Sequence, residues 1–328
     1  MRLNDCIDET SSIHFFAVYS RIRMLSTLGE HQAAIDGISA ARTKGKLTDE
    51  DLRDLCDAAG NVYLALGDLD KAKEEFSSFY RMLDRDEGNS IRGKALGNLG
   101  LVNLDMRNYD EAVKWFERSL EVVSESASRL FEMVTLGNLA ETYHRKGESE
   151  RGVELCQQSF EMNTELDYKR HEGHVHRTHG KCMRDLGMLD YSLECFTKAR
   201  KLFSDLQNEV EIVWTDIDIG QSFLHLAEPM KYGFGLRRKG EILKDAKTRL
   251  HGALDKMHEH GVPDNFSLTA NLAWCYDAMR VNDEAETWAN KSLEIAKEYS
   301  IQDMPSNYPE RQMFTRVEKI LKAQSVKT

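Results

Sequence analysis

The chain has 328 residues, 41% of them hydrophobic and 30% charged, with a formal net charge of −11. That balance suits a folded chain rather than a disordered one, and its acidity argues against general nucleic-acid binding, where cations must displace the counterions of phosphates. No apolar run approaches the roughly 20 residues that span a bilayer, the opening MRLNDCIDETSSIHFF lacks the apolar core of a signal peptide, and six scattered cysteines without a CxxC pair read as reduced thiols. A cytoplasmic protein with no membrane contact is the expectation.

Residues 1–11 are expected to be a flexible N-terminus. Only 4 prolines occur and none precedes Pro229, so a stretch rich in Leu, Ala, Glu and Lys can run as uninterrupted helix. Helix pairs are predicted near 12–44, 48–85, 88–125, 128–165, 168–205, 208–259 and 265–300, forming one array over 12–300. Their basis is a column of small residues at Gly60, Gly100, Ala140, Gly180 and Gly220, each 40 residues after the last, and again at Ala273. A second small column runs through Ala34, Ala72, Ala112, Gly152, Ser192 and Ala285, and turn glycines at Gly29, Gly67, Gly147 and Gly187 lie between the two. Large residues follow the first column at Tyr63, Tyr143, Met183, Phe223 and Tyr276, and Phe76, Phe116 and Phe196 follow the second. Spacings of three and four put such residues on one helical face. Small residues are expected to meet small ones where two antiparallel helices approach, with the aromatic rings filling the wedge between pairs. One pair cannot bury its apolar stripe alone, so the pairs must stack.

The sixth pair is irregular, because the next repeat arrives 53 residues later and PMKYGFGLRRKGEILKDAKTRL inserts a turn or lengthens the second helix. Residues 301–328 complete the chain with a helix near 307–324. Its face bears Phe314, Val317, Ile320 and Leu321, and it should cap the array.

The stretches NLGLVNLDMRNYDEAVKWFERSLEV (98–122), GNVYLALGDLDKAKEEFSSFY (60–80), NLAETYHRKGESERGVELCQQSF (138–160) and NLAWCYDAMRVNDEAETWANKSLEIA (271–296) together resemble the tetratricopeptide repeat family. The resemblance covers nearly all of residues 12–300. It departs in a period of 40 against the family's usual ~34 and in lacking the proline that often closes a repeat, so it is most similar to the long repeats of kinesin light chain, rapsyn, Tonsoku-like proteins and Leu-Gly-Asn-repeat adaptors. It implies an all-α, right-handed α-solenoid of about seven antiparallel helix pairs with a C-terminal capping helix. It also implies a concave groove, lined by the first helix of each pair, in which a protein or peptide partner lies. A protein-interaction adaptor follows as the expected function, with a permanent subunit of a larger cytoskeletal, ciliary or chromatin-associated assembly as the alternative.

In that groove Asn98, Asn138 and Asn271 fall in register, and an amide offering both donor and acceptor can hold an extended backbone. Arg145, Arg177, Lys181 and Arg184 are expected on or near the inner face. The spacing of Arg177, Lys181 and Arg184 lets one helical face present all three. Clustered cations attract carboxylates, so an acidic segment is the candidate ligand, balanced against a solvated face compensated by Glu141 and Asp185. Trp214 and Trp274 read as core.

Other signals point away from chemistry. The string HEGHVHRTH (171–179) is not HExxH and has no cysteine at ligand spacing; His176 and His179 fall on apolar columns. GFG at 233–235 lacks the Gly-Lys-Ser/Thr ending of a phosphate loop, and no local motif marks a nucleophile and base. The Lys, Asn and Arg set of a chaperone-carboxylate clamp does not carry over either, since Gly97 and Leu101 stand at two of its places. No cofactor, metal or enzymatic activity is expected.

Overall fold

Apolar residues at helical spacing and the scarcity of proline leave the chain little choice but helix. A computed structural model describes residues 12–27, 30–44, 47–83, 88–124, 129–229 and 234–325. Within them the elements are α1 (Ser12–Thr27), α2 (His31–Lys44), α3 (Asp49–Leu66), α4 (Leu69–Arg81), α5 (Asn89–Asp105), α6 (Tyr109–Ser124), α7 (Arg129–Arg145), α8 (Ser149–Leu166), α9 (Lys169–Asp185), α10 (Leu189–Asp205), α11 (Glu209–Ala227), α12 (Phe234–Glu259), α13 (Phe266–Ala278), α14 (Asn282–Glu298), a 3-10 turn (Ile301–Asp303) and α15 (Pro309–Ser325). No strand occurs among the described residues, and the fold is an all-α helical-repeat solenoid. Residues 1–11 and Gly29 lie outside the described residues. The 53-residue interval of the sixth pair is explained by its second helix, since α12 runs 26 residues where α10 and α14 run 17.

Local chemistry sets the helix ends. Thr48 accepts from the Asp51 backbone N–H at 3.1 Å while the Asp51 carboxylate accepts from the Thr48 N–H at 2.9 Å, a reciprocal cap that starts α3. Gly67, Gly147 and Gly187 turn the chain from first to second helix at φ of 76°, 76° and 77°, a left-handed conformation that costs glycine little. Arg107 and Arg280 occupy the equivalent turns at φ of 60° and 61°, where a side chain is strained.

The helices divide into two compact units, Met1–Leu139 and Ala140–Thr328, and α7 runs through the division. In the first unit, Ile22, Ala34, Leu55 and Val62 form one buried cluster and Ala72, Phe76, Leu99 and Val102 another. In the second, one core joins Leu224 of α11, Leu250 of α12, Trp274 of α13, Ala289 of α14 and Phe314, Val317 and Ile320 of α15.

The glycines of the first column accommodate large side chains. A Cβ added at Gly60 would strike the Phe76 ring, one at Gly100 the Phe116 ring and one at Gly180 the Phe196 ring. The glycine of these first helices therefore makes room for the aromatic ring of its own second helix, and Phe76 also joins Leu99 and Val102 of the next pair in one buried cluster, as a ring between pairs would. At Gly152, whose added Cβ would lie 2.7 Å from the Cys182 sulfur and 3.2 Å from the Ala140 carbonyl oxygen, and at Ser192, whose hydroxyl lies 3.2 Å from that of Ser222, small approaches small. Phe76, Phe116 and Phe196 are fully buried, each contributing on the order of 1.5–3 kcal/mol of transfer free energy.

Candidate first-helix binding face

In α9 the packing of Gly173 and Gly180 against the Phe203 and Phe196 rings fixes the rotation of the helix and so decides which side chains reach the neighbouring first helices. In the second unit these are charged. Arg177 of α9 donates from Nε to Asp218 Oδ2 of α11 at 2.7 Å and from Nη1 to Glu211 Oε2 at 3.1 Å. Lys181 of α9 reaches back to both oxygens of Glu141 in α7 at 3.1 and 3.3 Å, and Thr178 donates to Glu141 at 3.0 Å. Arg184 donates to the Asp218 carbonyl and carboxylate at 3.4 and 3.5 Å. Arg145 donates to Glu141 at 2.8 Å, one turn along α7. His144 stands 3.1 Å from Asp185.

These groups are removed from water: Lys181, Arg184 and Asp218 are 8%, 5% and 6% exposed. Burial pushes the Asp218 carboxyl up, but Arg177, Lys181 and Arg184 more than reverse this and hold it below the usual range. Glu141 is likewise pushed up by burial and then drawn well below its ordinary value by Lys181, Arg145 and His144. For Lys181 burial outweighs Glu141, and its pKa is lowered. Such an array costs several kcal/mol of desolvation per ion, and its Coulombic gain only offsets that loss. Stability alone does not require it.

The sequence-selected residues separate into two sets. Arg145 and Lys181 meet on Glu141, and Arg177 and Arg184 meet on Asp218, so each cation is answered by a carboxylate. In the first unit, Asn98 donates to Asp57 Oδ1 at 2.9 Å, beside the Lys94–Asp57 ion pair at 2.6 Å. Asn138 is half-buried on α7 in that unit. Asn271 is 0% exposed on α13, and neither amide atom has a hydrogen-bond partner. Asn98 and Asn138 are thus both half-buried on first helices, whereas Asn271 is buried. The partners Asp57, Glu141 and Asp218 follow a signal available in the sequence: Asp57/Asn98, Glu141/Lys181 and Arg177/Asp218 stand 41, 40 and 41 residues apart, about one repeat.

Trp214 is half-buried with the Arg177 guanidinium 5.8 Å from its ring centre, and Trp274 is buried with Arg316 at 3.7 Å. The four histidines of α9 go separate ways. His171 meets Ser159 at 2.8 Å, His174 stands 3.8 Å from Glu211, His176 packs on Phe160 at 4.5 Å, and His179 stands 3.5 Å from the Cys195 thiol. Among the described residues no group of three His, Cys, Asp or Glu could hold a metal ion, and no helix is long and apolar enough to cross a membrane.

The tetratricopeptide repeat family model matches residues 54–125 and 91–165. No curated protein matches the chain significantly. Among solved structures, a Rap protein complexed with Competence and Sporulation Factor is similar over 96% of this chain and 88% of its own, with a TM-score of 0.65 at 12% identity. The apo form of RapI is similar over 94% and 99%, at a TM-score of 0.60 and 15% identity. A signal-transduction ATPase with a tetratricopeptide repeat sensor, from Pyrococcus horikoshii, is similar over 90% of this chain and 44% of its own, at 0.58 and 15%. Identities this low speak for the fold alone, an all-α repeat solenoid, and residues 54–165 carry the tetratricopeptide repeats that the family model matches.

Proposed function

We propose that the chain is a non-enzymatic protein-interaction scaffold whose second unit holds an acidic segment of a partner protein along the first helices, received at Arg145, with Lys181, Arg177 and Arg184 supplying the positive charge behind it. The observation that carries this reading is the buried ion network itself. A stack of helical pairs needs only apolar contact between neighbours, and well-packed apolar side chains in place of a buried ion array are often neutral or stabilising. Arg145 is the entry point, because its side chain is 34% exposed and a carboxylate beside it, that of Glu310, comes from the C-terminal segment at 3.6 Å. An incoming carboxylate can take the place of Glu310 without disturbing Glu141. That Rap has been solved with a bound factor agrees with a fold of this kind receiving ligands.

Segments selected from a displayed peptide library on the full chain should be acidic and should bind less tightly as salt rises. Arg145→Glu should weaken them at least about tenfold, roughly 1.4 kcal/mol, while Arg249→Glu, on α12, should leave them unchanged. Equal responses from both variants would remove the reading. The alternative, a fixed subunit of a larger assembly, draws on Phe16 and Met24 of α1, which stand 70% and 58% exposed. A full chain that stays monomeric and soluble with both residues intact would count against it.

A further inference from the structure

The C-terminal segment does more than cap the last pair. Phe314, Val317 and Ile320 of α15 are buried in the core with α13 and α14, as a cap requires. The residues just before them extend to a turn far away in the chain. Asn307 donates from Nδ2 to the Lys146 carbonyl at 2.7 Å, across 161 residues of sequence. The Asn307 carbonyl accepts from Gln312 at 3.1 Å and rests against Gly147, where an added Cβ would collide with it. Tyr308 is buried, and Glu310 lies 3.6 Å from Arg145. Farther along, Arg316 pairs with Glu228 at 2.8 and 3.3 Å and covers the Trp274 ring.

The neighbouring repeat supplies the contrast. Gly187 makes the same turn at the same φ, yet a Cβ added there would meet nothing within 4 Å. The contact at Gly147 is thus specific to the turn beside Arg145. It seats a segment carrying a carboxylate at the cation where a partner's carboxylate would enter.

We propose that residues 305–310 are an intramolecular stand-in for the partner: Glu310 holds Arg145 at rest, and an acidic partner segment displaces it and lifts the strap from the α7–α8 turn. The proposal rests on the reading that Arg145 receives an acidic segment. The partner it fits is a short acidic segment free of bulk at the point that faces Gly147. The rest of α15 stays anchored by its apolar face.

Two full-length variants test it. Gly147→Ala should unseat the strap and raise amide exchange in residues 305–312 at least about tenfold, whereas Gly187→Ala, with the same backbone strain but no contact, should not. Asn307→Ala/Glu310→Ala keeps the test open if Gly147→Ala folds poorly. That chain should bind a labelled synthetic peptide of residues 303–312 about tenfold more tightly than wild type does, and the same peptide with Glu310→Lys should lose the gain. Unchanged exchange in Gly147→Ala, or a peptide that binds wild type and variant alike, would overturn the strap. The groove reading has a separate fate. If acidic segments from the library respond to Arg145→Glu while neither strap variant alters their affinity, the binding face stands and the strap falls.

Discussion

The two sides of α9 set one kind of interaction against another. On the side facing α10, Gly173 and Gly180 lie under the rings of Phe203 and Phe196, and geometry there is fixed by volume. On the sides facing α7 and α11, Arg177, Lys181 and Arg184 are held by Glu211, Glu141 and Asp218, and geometry is fixed by charge. The first side gains from every buried methylene; the second recovers in attraction roughly what it lost in hydration. A helix that spends one face on stability has the other available for recognition.

The comparison can be pressed where the cost is largest. Phe196→Ala should cost about 3–5 kcal/mol, since the glycine opposite cannot fill the cavity. Asp218→Ala should cost a similar ~3–5 kcal/mol for a different reason, because Arg177 and Arg184 lose a buried counter-charge. Denaturant unfolding separates the causes: converting Arg177 and Arg184 to Met in the Asp218→Ala chain should restore most of the loss, whereas no polar change on α9 should rescue Phe196→Ala. Failure of the Met rescue would show that Asp218 matters for packing and not for charge.

Acid should act next, and on the polar side. Burial, with Arg184 and Arg316 nearby, pushes His225 down to about 4, and burial alone leads the fall of His176 to about 4. Unfolded histidine takes its proton near 6.5, so the unfolded state gains protons first as pH falls. Stability should decline from about pH 6.5 to about pH 4 and then level for these groups. Glu141 and Asp218, held low when folded, add a further loss below the ordinary carboxylate pKa, about 4. For His225 the contribution is at most about 3.4 kcal/mol. Thermal melts across this range should show a shallower slope in His225→Phe; an identical slope would place the acid sensitivity elsewhere. The smallest effect belongs to a turn. Arg280→Gly should stabilise the chain by about 1 kcal/mol by relieving a left-handed arginine, readable as a rise in melting temperature, and a fall would mean that the arginine side chain holds the turn.

The repeat was legible because its physics is local. A small residue every 40 positions, a turn glycine between columns and an apolar stripe were enough to place the helix pairs from 12–44 through 265–300 and the final helix near 307–324. The partner of each small residue was not legible, because two columns near a turn do not say whether Gly180 meets Ser192 or Phe196. The cations were visible individually, but their neutralisation needed the rule that opposite charges one period apart touch, as Arg177 and Asp218 do. Nothing in composition marks the division at Leu139–Ala140. The strap escaped for a stronger reason: Asn307 meets Lys146 at a separation of 161 residues and Arg316 meets Glu228 at 88, neither set by any helical periodicity.

Amide exchange on the full chain with and without a library-selected acidic segment tests the binding face most directly. Protection at residues 141–145 and 177–184, with faster exchange at 305–310, is the expected footprint. Protection confined to the second helices, with residues 141–145 unchanged, would contradict it.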